Sequence, residues 1–236
     1  MPLFLLVYRA CFRTFKILHQ HFIINLSTLF PHFINRFRGV MNSIKSNFAV
    51  QTRKTLMPMR KLKVTELNRI SKEEYKLAEK LPLVVVLDNV RSEYNIGSVF
   101  RTADAFRVES ICLCGICAVP PRIEIHKTAL GAEDSVDWRY FKSTMDAVDE
   151  LRREGYTILS VEQVEGSMKL DNMHLDSSRR YAIILGNEVK GVQQEVVDAS
   201  DGCIEIPQYG TKHSLNVSVT AGIVMWEMFR LLRSES

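Results

Sequence analysis

A chain of 236 residues with 46% apolar and 25% charged side chains can bury a full core and is too apolar for a disordered or fibrous protein, so one globular domain of ordinary size is expected. The formal net charge of +4 is unevenly placed: residues 1–65 carry eleven of the 31 basic side chains and none of the 27 acidic ones, leaving 20 basic against 27 acidic in the rest. A global basic field is therefore excluded for the folded part, and any surface there that binds a polyanion must be a local patch.

Residues 1–56 read as a leader, disordered or dispensable to the fold. The segment is apolar and basic, but charges break it too often for a membrane span of about 20 apolar residues, and no small-residue cleavage site marks it as a secretory signal. An acid-free, Arg-containing stretch suits an organellar transit peptide, or a start codon placed too early, since Met41, Met57 and Met59 precede the first clear periodicity. Residues 57–82 form an N-terminal extension in which Ser71-Lys-Glu-Glu74 resembles a capping box before a short helix, Tyr75–Lys80.

From residue 83 to 236 apolar strands alternate with helices. Leu83–Leu87 is a continuous apolar strand ending in Asp88-Asn89, and the polar turn Arg91–Glu93 leads into a helix over Tyr94–Phe106. Ser110–Cys114 is a second strand, and Pro120-Pro121 opens an extended loop that continues through Arg122–Ala132. A helix over Ser143–Glu154 is stopped by Gly155. Thr157–Val161 and Tyr181–Leu185 are further buried strands; Val192–Ala199 is a short helix, and Ile204–Pro207 a strand ended by its proline. The last helix runs from Asn216 to about Leu232 with Ser214 as its expected N-cap. It is apolar nearly all round, where a surface helix shows one stripe, so it needs a second cover such as another subunit. This alternation implies a mainly parallel sheet flanked by helices on both faces.

Cys112, Cys114 and Cys117 stand close enough to suggest a thiolate site, with His126 as a conceivable further ligand. The alternation of Ser110–Cys114 favours buried, reduced thiols in a cytoplasmic protein instead, and no metal is expected. Ligands of parallel sheets bind beyond the carboxyl ends of the strands, where three polar clusters fall: Asn89–Arg101, Gly186–Gly191 and Gln208–Asn216. No G-x-G-x-x-G occurs, which disfavours a dinucleotide-binding or ordinary Rossmann enzyme. Gly186 and Gly191 have P-loop spacing, but Val192 stands where the phosphate-binding lysine belongs. His213 beside Ser214 is no persuasive hydrolase pair.

Taken together the three clusters resemble one family. Asn95-Ile-Gly97-Ser-Val-Phe-Arg101-Thr-Ala103, Leu185-Gly-Asn-Glu188-Val-Lys-Gly191 and Ile206-Pro-Gln-Tyr-Gly-Thr-Lys-His-Ser214-Leu215-Asn216-Val-Ser218 are similar to motifs 1, 2 and 3 of the SpoU/TrmH RNA ribose 2′-O-methyltransferases, in order, over about Leu83 to Leu232. The resemblance implies the SPOUT fold, an α/β domain whose carboxyl-terminal part is tied in a trefoil knot. It also implies a homodimer, S-adenosylmethionine as cofactor, no metal, no membrane, and RNA as partner. Arg101, Glu188, Ser214 and Asn216 take the catalytic positions; Gly186, Ile206 and Leu215 the cofactor positions, with Val161 added from another strand end; and Asn95 and Arg101 meet RNA, with His126 and Lys127 of the Arg122–Ala132 loop added for their basic character.

The guanidinium of Arg101 suits a phosphate and a developing alkoxide. Glu188 is expected to orient Arg101 or the RNA, and Gly97 to permit close backbone approach. The absence of an evident separate RNA-binding module favours tRNA over rRNA as substrate. The alternatives are an rRNA enzyme, a base methyltransferase of the same class, and a non-catalytic RNA-binding protein of this fold.

Overall fold

A computed structural model describes residues 60–233; the expected leader lies outside the described residues. The chain divides into two units between Asn68 and Arg69. In the first, a single 3-10 turn, Val64–Glu66, is held by Glu66, whose carboxylate accepts from the Lys63 amide at 2.7 Å and from the Arg60 guanidinium at 2.9 Å.

The second unit begins with α1 (Lys72–Leu77). The expected capping box forms: Ser71 Oγ accepts from the Glu74 amide at 3.1 Å and Glu74 Oε2 accepts from the Ser71 amide at 2.7 Å. The helix therefore starts inside the box, three residues earlier than expected, and ends before Lys80, which turns back to place Nζ 3.4 Å from the Tyr75 ring centroid. The chain then follows β1 (Leu81–Asp88), α2 (Glu93–Phe106), β2 (Val108–Cys114), α3 (Ile123–Ala129), β3 (Asp137–Phe141), α4 (Thr144–Arg153), β4 (Tyr156–Val161), β5 (Met168–Lys169), β6 (Arg180–Leu185), α5 (Gln194–Ala199), β7 (Gly202–Glu205) and α6 (Val217–Arg233).

The seven strands form one sheet in the order β3-β2-β1-β6-β4-β7-β5, with every neighbouring pair parallel. Both faces are covered, which is why the central strands read as unbroken apolar runs. Along β1, Leu83, Val85 and Leu87 join a core with residues of α2 and α6, while Val84 and Val86 join another with Ala147, Val148 and Leu151 of α4 and Val196 of α5. Three elements escaped the sequence reading. β3 is an edge strand with exposed Asp137 and Tyr140 and no fully buried residue, β5 is two residues long, and α3 is a seven-residue helix whose N-cap, Arg122, makes no side-chain cap bond.

The last helix buries Val217, Ala221, Val224, Met225, Met228 and Leu232 against this sheet and leaves Val219, Ile223 and Trp226 open. Its N-cap is Asn216, not Ser214: Asn216 Oδ1 accepts from the Ser218 amide at 2.9 Å and the Ser218 hydroxyl at 2.6 Å, and its carbonyl accepts from the Thr220 amide at 2.9 Å. A cap must stand directly before the first helical residue, and the helix starts two residues later than a Ser214 cap would require. Cys112, Cys114 and Cys117 are buried, and burial pushes the Cys112 thiol up to about 12 and that of Cys117 to about 11. No group of three metal-ligating side chains occurs among the described residues, so these cysteines and His126 do not converge. No described helix is long and apolar enough to cross a membrane.

Helices α2 and α3 touch through a glycine. A Cβ on Gly97 would stand 2.2 Å from both the Ile125 carbonyl oxygen and the Thr128 hydroxyl. Gly97→Ala is therefore expected to lower the unfolding free energy by about 1–3 kcal/mol through overpacking, less the gain of up to about 1 kcal/mol in helix propensity. A lower urea midpoint at unchanged slope would be the sign; a midpoint at or above that of the parent would contradict the close contact.

Candidate active site

Three strand ends deliver three loops to one place. Beyond β6, the 186–191 loop folds on itself: Asn187 and Gly191 exchange backbone hydrogen bonds of 3.0 and 2.9 Å, and Asn187 Oδ1 accepts from the amides of Val189 and Lys190. Gly186 admits no side chain there, because a Cβ would meet the Gly191 carbonyl carbon and the Val192 nitrogen at 2.1 Å. Two carboxylates anchor this loop from below. Asp88, fully buried at the end of β1, accepts from the Gln193 amide and Gln193 Nε2 at 2.8 Å and from the Thr144 hydroxyl at 2.5 Å. Glu162, just past β4, accepts from the Val192 amide at 3.0 Å. Its neighbour Gln163 donates to the His213 carbonyl at 2.8 Å, tying the turn before α6 to the same sheet edge.

Glu188 joins the second loop to the first. Its carboxylate accepts from the Arg91 and Ser92 amides and from Asn95 Nδ2, each at 3.0 Å. Asn95 Oδ1 in turn accepts from Asn216 Nδ2 at 3.2 Å, so one chain of side chains runs from the 186–191 loop through the first turn of α2 to the N-cap of α6. Burial alone would raise the Glu188 pKa, but the backbone amides and the Asn95 amide outweigh it and hold the carboxyl below its usual range.

A cleft of about 690 Å³ opens between these loops, within the size range of small-molecule sites. Val161, Gly186, Ile206 and Leu215 all line it, as do Glu188, Ser214 and Asn216. Glu162 and Asn187 line it as well; the sequence reading gave them no role, although an acid just beyond a buried strand end was a usable signal. Three expected residues lie elsewhere. Arg101 is exposed on α2, outside the cleft lining, and no described residue of the same chain pairs with its guanidinium; the Glu188 carboxylate of that chain is bonded to Arg91, Ser92 and Asn95. His126 and Lys127 stand exposed on α3, His126 Nδ1 at 2.5 Å from Glu133 Oε1 and Lys127 Nζ at 3.6 Å from Glu124 Oε1.

Comparison with known proteins agrees with this architecture. The profile of the SpoU rRNA methylase family matches residues 82–226, and the chain belongs to that family. A Staphylococcus aureus protein assigned to the TrmH family of tRNA/rRNA methyltransferases is 31% identical over 158 residues, which cover 67% of this chain and 62% of the relative's own length. The A. aeolicus TrmH/SpoU tRNA modifying enzyme superposes with a TM-score of 0.61 at 27% identity, over 70% of this chain and 81% of the other. An AdoMet-bound rRNA methyltransferase from Sinorhizobium meliloti superposes with a TM-score of 0.60 at 28% identity, over 66% of this chain and 59% of its own.

The Glu188 bonds have a pH signature. A carboxyl whose folded pKa is lowered contributes stability that is complete above its unfolded value of about 4.3 and is lost as pH falls through the lowered value. Glu188→Gln is expected to show a shallower fall in urea midpoint than the parent as pH drops below about 4.3. Superimposable profiles would show that the carboxylate charge contributes nothing to joining the loops.

Proposed function

We propose that this chain is an S-adenosylmethionine-dependent methyltransferase acting on the ribose 2′-oxygen of a structured RNA, with tRNA the favoured substrate, working as a homodimer in the cytoplasm. The observation that carries the reading is the Glu188–Asn95–Asn216 chain of hydrogen bonds at the mouth of the cleft, since it joins the three segments that hold the family's motifs. Residues 83–236 are the methyltransferase domain and residues 57–82 its extension, preceded by a dispensable leader. The threading of the carboxyl-terminal segment into a trefoil knot belongs to the same reading.

The cleft suits the cofactor. Its lining offers the side chains of Val161, Ile206 and Leu215 for apolar contact, and Gly186 lines the same wall, its missing side chain giving room to the backbone of Gly191 and Val192. When bound, S-adenosylmethionine supplies an activated sulfonium methyl group, so the protein is left with alignment and the route of one proton. Ser214 and Asn216 stand on the cleft wall where the ribose enters, and Asn95 holds Asn216 in place. Arg101 binds the adjoining phosphate and lowers the cost of negative charge on the 2′-oxygen.

Because Arg101 lies outside the cleft of its own chain, it acts at the cleft of a partner subunit. The open apolar side chains of α6, Val219, Ile223 and Trp226 at 52%, 38% and 52% exposure, are what that subunit covers. A role in rRNA methylation is the second reading, favoured by the likeness to the Sinorhizobium meliloti rRNA methyltransferase.

The test is transfer of radiolabelled methyl from S-adenosylmethionine to total tRNA and, separately, to rRNA by the full chain. Label is expected in alkali-resistant dinucleotides, reduced about a hundredfold or more in Arg101→Ala. Alkali-labile label would point to a base instead, and failure to bind S-adenosylmethionine would overturn the reading.

A further inference from the structure

We infer that the exposed face of α2 carrying Tyr94, Ser98 and Arg101, with Lys127 of α3 beside it, is a nucleotide track on which the Tyr94 ring stacks an unpaired RNA base near the phosphate bound by Arg101. The inference rests on the reading of function above and goes beyond it by naming a base-binding platform.

The spacing is the first observation. Residues 94, 98 and 101 stand at i, i+4 and i+7 and so share one face of a helix, while Ile96, Gly97, Val99 and Phe100 are buried. Two helical turns separate Tyr94 from Arg101, about 10 Å along the axis, a span that neighbouring nucleotides bridge and a single one-atom contact does not.

The second observation is that the ring is displayed on a rigid support. Tyr94 is 50% exposed, yet its carbonyl accepts from both Ser98 Oγ at 2.8 Å and Thr128 Oγ1 at 2.9 Å. The next residue, Asn95, is locked between Glu188 and Asn216. The ring therefore projects one residue away from the chain of bonds that assembles the site.

The third is charge. The close approach at Gly97 carries α3 against the first turn of α2, and Lys127 Nζ stands 6.0 Å from the Tyr94 centroid. Glu124 shares that ammonium at 3.6 Å, and Glu93 on the other side is matched by Arg122 at 4.0 Å. Arg101 alone on this face has no charge partner among the described residues. An aromatic face beside a cation, with a free guanidinium two turns on, fits a base, its phosphate and the adjoining nucleotide. Stacking on one ring is indifferent to which base is offered and requires that the base be unpaired.

The test uses the full-length protein with total tRNA and total rRNA as separate probes, the variants being measured on the pool that the parent methylates. Tyr94→Ala is expected to weaken RNA binding about tenfold, seen as a higher KM for RNA at little-changed kcat, with S-adenosylmethionine affinity by calorimetry within about twofold of the parent. Tyr94→Phe, which keeps the ring and loses only the hydroxyl, is expected to bind RNA like the parent. Parent-like RNA affinity in Tyr94→Ala, or a loss in Tyr94→Phe as large as that in Tyr94→Ala, would overturn the platform. A Tyr94→Ala protein that loses cofactor affinity as well would mark the residue as structural support and would also overturn it. Any of these three results with an active parent sinks this inference alone, whereas a parent that binds cofactor but neither binds nor methylates RNA sinks the functional reading beneath it.

Discussion

The Glu188 carboxylate is the joint on which the site depends. Three N–H donors, two from the turn before α2 and one from Asn95 in its first turn, converge on it, and an ionised acceptor in such a setting makes hydrogen bonds roughly twice as strong as neutral ones. Without it the 186–191 loop and the start of α2 would be neighbours held by little else than Asn187, which donates to the Asn89 carbonyl at 2.7 Å. Because Asn95 passes the connection on to Asn216, the geometry of the α6 N-terminus is set by a residue 28 positions earlier. Loops otherwise carry higher mobility than the elements they connect. Here bonding among the loops themselves replaces that freedom with a defined cleft wall.

The sheet supplies the platform for this joint. The parallel order places β1, β6, β4 and β7 side by side with their carboxyl ends together, so every loop that leaves one of them emerges at the same edge. The buried Asp88 and the half-buried Glu162 then pull the 186–193 segment down onto the sheet from two sides. A buried carboxylate is costly unless its oxygens are satisfied. Asp88 meets that condition with four donors, from Asn89, Thr144 and Gln193, which makes it a fixed point for a loop whose glycines could otherwise take many shapes.

Much of this was legible in the chain. The apolar runs Leu83–Leu87, Thr157–Val161 and Tyr181–Leu185 have no other use than strands buried on both faces, and the motif spacing pointed to the three loops that meet. What stayed hidden was long-range or short. Asp137–Phe141 lies at the sheet edge with exposed and half-buried residues only and carries no apolar run, and Met168–Lys169 is too brief for any periodicity. The misplacement of the α6 cap followed from two polar residues, Ser214 and Asn216, each able to cap; only the backbone path decides between them. That Glu188 bonds the start of α2 within its own chain was equally out of reach, because its partners are more than ninety positions away.

Glu188 and Asn216, which exchange no hydrogen bond, act as one unit through Asn95. A double-mutant cycle on cofactor affinity tests this most directly, with Glu188→Ala, Asn216→Ala and the combination measured by calorimetry in the full-length protein. If Asn95 relays the connection, the double variant is expected to lose hardly more affinity than the worse single variant, since either change alone already frees the relay. Losses that add in full would mean that the two residues act independently, and the account of a single assembled site would be wrong.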